Sequence, residues 1–182
     1  MRKTIYCLIG PSGSGKTFIG TAMKRKGFKE VVSHTTRNKR IGEADGLDYH
    51  FVSQKDFFQI KMIEKNFYSG EWYGTSYEEV ENSFASHDTL YQVTTFSGFE
   101  ALKHTFPDAR VVSVYIFASQ ETREKRMSIR GDSLSNIQKR IAVDKDYWDS
   151  TKEKCDYVIN NDEDVPVEKI SQKLKKHIRK EL

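Results

Sequence analysis

The chain has 182 residues, 37% of them hydrophobic and 31% charged, and its 30 basic and 26 acidic side chains leave a net charge of +4. That length suits one domain with a sizeable core. No apolar run is long enough to span a bilayer. The small basic excess does not by itself indicate nucleic acid, although it suits a protein that must hold several phosphates.

The first predicted strand is the apolar, β-prone run Ile5-Tyr6-Cys7-Leu8-Ile9. Met1-Arg2-Lys3-Thr4 leads straight into it, with no secretory hydrophobic region. The two cysteines, Cys7 and Cys155, lie far apart and outside any CxxC pattern. A reduced, cytoplasmic setting is expected, with Cys7 a buried thiol.

Gly10-Pro11-Ser12-Gly13-Ser14-Gly15-Lys16-Thr17 follows that strand and fits G-x-x-x-x-G-K-[ST] in full. The residue types suit a phosphate cradle. Glycines let the backbone curl until successive N–H groups point into one concavity. A helix starting near Lys16 adds its positive end to the same spot. The Lys16 ammonium would reach the β- and γ-phosphates of ATP, and the Thr17 hydroxyl would ligate Mg²⁺.

The helix after the loop is predicted over residues 16–26 and stops at Gly27, a natural position just past a helix end. Residues 28–32 read as a second strand, whereas 33–51 are polar and basic with no clean period. Ser53 with Asp56, Ser76 with Glu79, and Ser97 with Glu100 each carry a helix-capping signature. Strands are expected over residues 89–95 and 110–117. Helices are expected over 121–129, ending at Gly131, and over 135–151. A short strand at 157–159 precedes a last helix with Pro166 in its first turn, and its lysine-rich stretch 169–180 reads as a solvated face. Alternating helix and strand signals argue for an α/β layered fold.

Residues 33–51 read Ser33-His34-Thr35-Thr36-Arg37-Asn38-Lys39-Arg40-Ile41-Gly42-Glu43-Ala44-Asp45-Gly46-Leu47-Asp48-Tyr49-His50-Phe51. Guanidinium forks pair with phosphate oxygens two at a time. Arg37 and Arg40, with the hydroxyls of Ser33 and Tyr49, would suit a second phosphate; a solvated basic loop is the plain alternative. Arg123, Arg126 and Arg130 fall at i, i+3 and i+7, on one face of a helix. Phosphoryl transfer needs charge stabilisation more than covalent help, which several arginines can supply.

The segment 33–51 resembles the S-x-T-T-R-x-x-R-x-G-E-x-x-G-x-D-Y-x-F signature of guanylate kinases at every fixed position. The resemblance runs over nearly the whole chain. Tyr73-Gly74-Thr75 is similar to the family's Tyr-Gly-Ser/Thr, and Glu64, nine residues before Tyr73, matches the spacing of its guanine-binding glutamate. Arg126, Arg130 and Arg140 are similar to the lid arginines, and Tyr157-Val158-Ile159-Asn160-Asn161-Asp162 resembles the last strand and its corner near the adenine site.

That resemblance implies an α/β P-loop nucleoside-monophosphate kinase fold: a parallel central sheet with helices on both faces, a GMP-binding insertion (33–87) and a helical lid (123–145). The core would comprise 1–32, 88–122 and 146–182. It implies transfer of the ATP γ-phosphate to GMP or dGMP with Mg²⁺, by a monomer or homodimer without nucleic-acid or membrane partners. Arg37, Arg40, Tyr49 and Tyr73 would hold the GMP phosphate with help from Ser33, while Glu64 and Thr75 would read guanine. Lys16, Arg126, Arg130 and Arg140 would act in catalysis. Gly10, Pro11, Ser12, Gly13, Ser14, Gly15, Lys16, Thr17 and Asn160 would hold ATP.

One stretch departs from the family. Its D/E-x-D-x-Q-G pattern is here Val93-Thr94-Thr95-Phe96-Ser97-Gly98, so that Val93 and Thr95 stand where carboxylates belong. Other P-loop enzymes use an acid here for Mg²⁺, and the second family acid contacts the guanine. Thr95 is expected to keep one hydrogen bond to the substrate without a charge, giving slow turnover or relaxed base selectivity. A weakened module that binds a phosphorylated ligand or peptide, or a kinase for another phosphorylated small molecule, stays open beside GMP kinase. The intact cradle favours the enzyme. Asn38-Lys39-Arg40-Ile41 lacks the aspartate of a GTPase N-K-x-D, and the five histidines show no zinc spacing.

Overall fold

A computed structural model of the chain describes residues 2–68, 70–148 and 150–162. Its elements in chain order are strand β1 (Thr4–Ile9), helix α1 (Lys16–Lys24), strands β2 (Lys29–Glu30), β3 (His34–Thr35) and β4 (His50–Phe51), and helix α2 (Gln54–Phe57). Strands β5 (Met62–Tyr68) and β6 (Glu71–Ser76), helix α3 (Tyr77–Ser86), strand β7 (Thr89–Val93) and helix α4 (Phe96–Thr105) follow. The remainder is strand β8 (Arg110–Phe117), helices α5 (Gln120–Ile129) and α6 (Leu134–Trp148), a 3-10 turn over Lys152–Lys154, and strand β9 (Tyr157–Asn160). The last predicted helix, with Pro166 and residues 169–180, lies outside the described residues.

A five-stranded sheet runs in the order β2-β7-β1-β8-β9, with β2–β7 and β8–β9 paired parallel. A separate four-stranded sheet has the order β4-β3-β6-β5. The expected α/β architecture with a parallel central sheet is therefore present. The chain divides into two compact units, one of residues 1–7 and 28–112 and the other of 8–27 and 113–182. Strands β1 and β8 each contribute to both.

In the first unit, Ile5, Cys7, Phe57, Val80, Leu90 and Leu102 are fully enclosed. In the second, Leu8, Ile9, Ile19, Val114, Ile116 and Met127 are. Cys7 is thus the buried thiol its strand position suggested, and both cysteines are free.

Serine caps behave as their spacing suggested. Ser53 accepts from the Asp56 amide at α2, and Ser76 from the Glu79 amide at α3. The Ser97 signature does not cap α4. The helix starts earlier, and Thr95, extended at φ −91°, accepts the Gly98 amide instead. A cap must have non-helical backbone, and Ser97 already lies inside the first turn.

The β5–β6 hairpin was not anticipated. Its register pairs Glu64 with Thr75, Lys65 with Gly74 and Asn66 with Tyr73, and an irregularity between Met62 and Glu64 re-sets the ladder just before Glu64. Strand period two then puts Glu64 and Asn66 on one face, the half-buried one, while Lys65 and Phe67 are exposed.

Candidate active site

The phosphate cradle lies in the second unit and is built chiefly from backbone. Gly13 sits at φ +77°, and a Cβ there would lie 2.7 Å from the Arg123 carbonyl oxygen. Gly15 sits at φ +95°, and a Cβ there would collide with the Asn161 side-chain nitrogen. Both positions therefore require glycine for its backbone freedom and for its lack of a side chain. The Lys16 ammonium donates to the Gly10 and Pro11 carbonyls at 2.6 and 2.8 Å. Desolvation lowers its pKa to about 8; the Asp144 charge opposes that shift, and Arg123, Arg130 and Arg140 reinforce it.

Two residues brace this loop: Asn161, marked in the sequence only as part of the segment 157–162, and Asp144, which was not singled out there. Asn161 is buried and donates to the Ser14 carbonyl at 2.7 Å. Its neighbour Asn160, the residue expected to contact nucleotide, is exposed and instead accepts the Asp162 amide through Oδ1. Asp144 is 2% exposed and accepts from the Ser12 amide at 2.9 Å, from Arg123 Nη1 at 3.2 Å and from Trp148 Nε1 at 2.9 Å.

The arginines of α5 and α6 and of the turn between them separate. Arg123 is buried beside Met127 on the inner stripe of α5. Arg126 donates to the Ser14 and Asn161 carbonyls at 3.5 and 2.8 Å. Arg140 reaches Ser12 Oγ at 3.4 Å. Arg130 is exposed and paired with Asp132.

The residues present suit a triphosphate. The Ser14 hydroxyl, in the loop, is fully buried without a hydrogen-bond partner. For Mg²⁺ the offer is smaller. Among the described residues no three His, Cys, Asp or Glu side chains cluster to hold a metal. The exposed Thr17 hydroxyl could be offered to it, which suits an ion that keeps its waters and takes most other ligands from nucleotide phosphates.

The residues expected to bind the acceptor lie in the first unit and form two groups. One centres on Arg37, whose guanidinium forks onto Glu43 at 2.8 and 3.0 Å, donates to the Asn38 carbonyl at 2.7 Å, and lies 5.5 Å from the Tyr49 ring centroid. Tyr49 and Tyr73 meet edge to face at 5.8 Å. The Arg40 backbone amide also donates to Glu43, while the Arg40 side chain is exposed.

The other group is a polar relay. Gln92, fully buried, donates through Nε2 to Thr75 Oγ1 and, at 3.4 Å, to Ser33 Oγ. Thr75 donates to Glu64 Oε1 at 2.9 Å, and Asn66 Nδ2 donates to Glu64 Oε2 and to Thr95 Oγ1. Burial pushes the Glu64 carboxyl up to about 7, against the pull of the Thr75 hydrogen bond. Gly98 leaves room here: a Cβ at that position would lie 3.4 Å from Glu64 Cδ and collide with Thr94 Oγ1. Ser33, Glu64, Thr75 and Thr95 were singled out in the sequence. Gln92 and Asn66 were not, although Asn66 stands two residues from Glu64 on a strand.

A glycine loop between strand and helix, a lysine at its mouth and a separate arginine–tyrosine–carboxylate group define a P-loop phosphotransferase acting on nucleotides. The guanylate kinase family model matches residues 2–181. Guanylate kinase of Vibrio cholerae serotype O1 is 34% identical over 170 residues, which cover 88% of this chain and 81% of that protein. Guanylate kinase of Synechocystis is 34% identical over 166 residues, covering 87% and 86%. Guanylate kinase from Anaplasma phagocytophilum shares the fold, with a TM-score of 0.66 at 23% identity over 98% of this chain and 86% of that one. The chain belongs to the guanylate kinase family of ATP-dependent phosphotransferases.

Proposed function

We propose that the protein transfers the γ-phosphate of ATP to GMP, giving ADP and GDP. Glu64 carries this reading: a half-buried carboxylate whose hydrogen-bond partners, Thr75 and Asn66, are both neutral. Such a group suits a base that offers adjacent N–H donors, which guanine does and adenine does not. Arg37 and Arg40, with Tyr49, Tyr73 and Ser33, hold the acceptor phosphate; residues 33–87 are the acceptor-binding insertion. The cradle amides and Lys16 hold the ATP phosphates. Arg126, Arg130 and Arg140, in a lid spanning 123–145, stabilise charge on the moving phosphoryl group. The Thr17 hydroxyl would hold Mg²⁺ bound with ATP, and the ion would supply positive charge to offset the negative charge developing on the phosphates.

No helix among the described residues is long and apolar enough to cross a membrane, and we place the protein in the cytoplasm as a monomer or homodimer acting on free nucleotides. ADP release measured with GMP, dGMP, AMP, CMP and UMP tests the reading. Turnover confined to the guanine nucleotides supports it. Equal turnover with AMP, or none with GMP, overturns it.

A further inference from the structure

The valences around Glu64 are taken up in an order that bears on which purine fits. Thr95 Oγ1 accepts the Gly98 amide at 3.1 Å and Asn66 Nδ2 at 3.2 Å, which fills its two lone pairs. Its own hydrogen then goes to Ser97 Oγ, 2.9 Å away. Thr95 therefore has no acceptor left for a substrate, contrary to the single hydrogen bond expected of it. Both hydrogens of Asn66 Nδ2 are likewise used, one on Glu64 Oε2 and one on Thr95. Charge fixes the orientation of this amide. Turned over, it would set Oδ1 against a carboxylate oxygen and a hydroxyl with no hydrogen to give.

Guanine offers a carboxylate two donors side by side, N1–H and the 2-amino group. Hypoxanthine keeps N1–H and the 6-oxo group but has only C–H at position 2. Adenine presents a lone pair at N1 and is repelled by the carboxylate. In this chain an NH₂ group of the protein already bridges Glu64 Oε2 to residue 95.

We propose that Asn66 is a specificity-determining residue whose side-chain amide stands in for the purine 2-amino group, so that the acceptor site takes 6-oxopurine 5′-monophosphates with or without that substituent. IMP then forfeits less relative to GMP than it would at a carboxylate without a protein donor, because Glu64 Oε2, which can accept two hydrogen bonds, keeps the one from Asn66 when the 2-amino group is absent. The inference rests on the acceptor reading given above and deepens it.

The test is competition between GMP and IMP for limiting enzyme with saturating ATP, read as the ratio of their kcat/KM values. Competition cancels the fraction of active protein, so a partly folded variant still reports. A hydrogen bond to a charged group is worth roughly a 10- to 150-fold effect. The parent protein should therefore prefer GMP by less than about tenfold, and Asn66→Ala, which frees Glu64 Oε2, should raise that preference about tenfold or more. Asn66→Asp, which offers an acceptor in place of the donor, should move the ratio the same way. A parent preference above about tenfold, or an unchanged ratio in both variants, overturns the inference. If GMP is phosphorylated and IMP refused, this inference alone fails. If neither is phosphorylated while both bind ATP-loaded protein no better than AMP does, the acceptor reading has failed with it.

Discussion

The phosphate cradle and the acceptor residues are built in opposite ways. The cradle takes eight consecutive residues and works mainly through backbone amides, left-handed glycines and one lysine. The acceptor group draws side chains from short strands, a hairpin and a helix cap, from Ser33 to Thr95, and works through a relay of hydroxyls and side-chain amides hydrogen-bonded to one another. A site written in backbone geometry tolerates sequence drift around it. A site written in side-chain valences changes its chemistry when one member changes.

If the two regions are functionally separate, changes in one should leave ligand binding by the other intact. Lys16→Ala should lower kcat by roughly 10³-fold or more through lost charge at the ATP phosphates. Calorimetry should find GMP affinity unchanged, and circular dichroism should find the fold intact. Near-normal turnover would remove Lys16 from the cradle.

Asp144→Ala should cost about 3–5 kcal/mol of stability, because it strands the buried Arg123 charge. The measurement is the denaturant midpoint. Asp144→Asn should cost less, since its one amide oxygen, placed where Oδ2 stands, still accepts from Ser12 and Arg123, and only the Trp148 hydrogen bond is lost. Equal stability of all three proteins would show that the buried pair contributes nothing.

Arg37→Ala should weaken GMP by roughly 1.5–3 kcal/mol and leave ATP unaffected. Separate titrations with the two ligands decide it; parallel weakening of both would erase the distinction between the two regions.

The smallest effect is on pH, and its direction differs between the regions. The Glu64 carboxyl titrates near 7, so the form that accepts guanine N–H groups is populated above that pH. KM for GMP should fall about tenfold between pH 6 and 8, and Glu64→Gln should flatten the profile. Lys16 loses its proton above about 8, so ATP affinity of the free protein should decline there. For stability the sign is fixed by proton counts. Between 4.5, the ordinary value, and about 7, folded Glu64 holds more protons than unfolded Glu64. Stability from this group is therefore present in full below 4.5, falls across that window, and is level above it.

These contrasts also explain what could be read from sequence. Strand β8 shows its bounds because an apolar run encloses most of it, and the caps at Ser53 and Ser76 show because capping is a three-residue affair. The β5–β6 hairpin gave no such signal. Its half-buried face carries Glu64 and Asn66 where a core strand would carry valine or isoleucine, so the usual alternation is lost. Glu64 could still be singled out, because its spacing from Tyr73 matches that of the family's glutamate. Asn66 and Gln92 could not, because their roles exist only once the hairpin, β7 and the α4 cap are brought together. The roles of Asp144 and Asn161 were hidden for the same reason, each residue acting on a loop more than a hundred residues away in the chain.

The grip of Glu43 on Arg37 has one more consequence. An anion arriving at that guanidinium finds a rival already seated, tethered six residues away and present at an effective concentration on the order of millimolar or higher. Docking there is a swap of one negative partner for another. Weakly pairing anions such as sulfate or chloride should lose that contest, whereas a phosphate delivered on a nucleoside, with a base to anchor it elsewhere, should win. Glu43 would then act as a sieve, and Glu43→Gln should let plain sulfate compete with GMP where the parent protein ignores it.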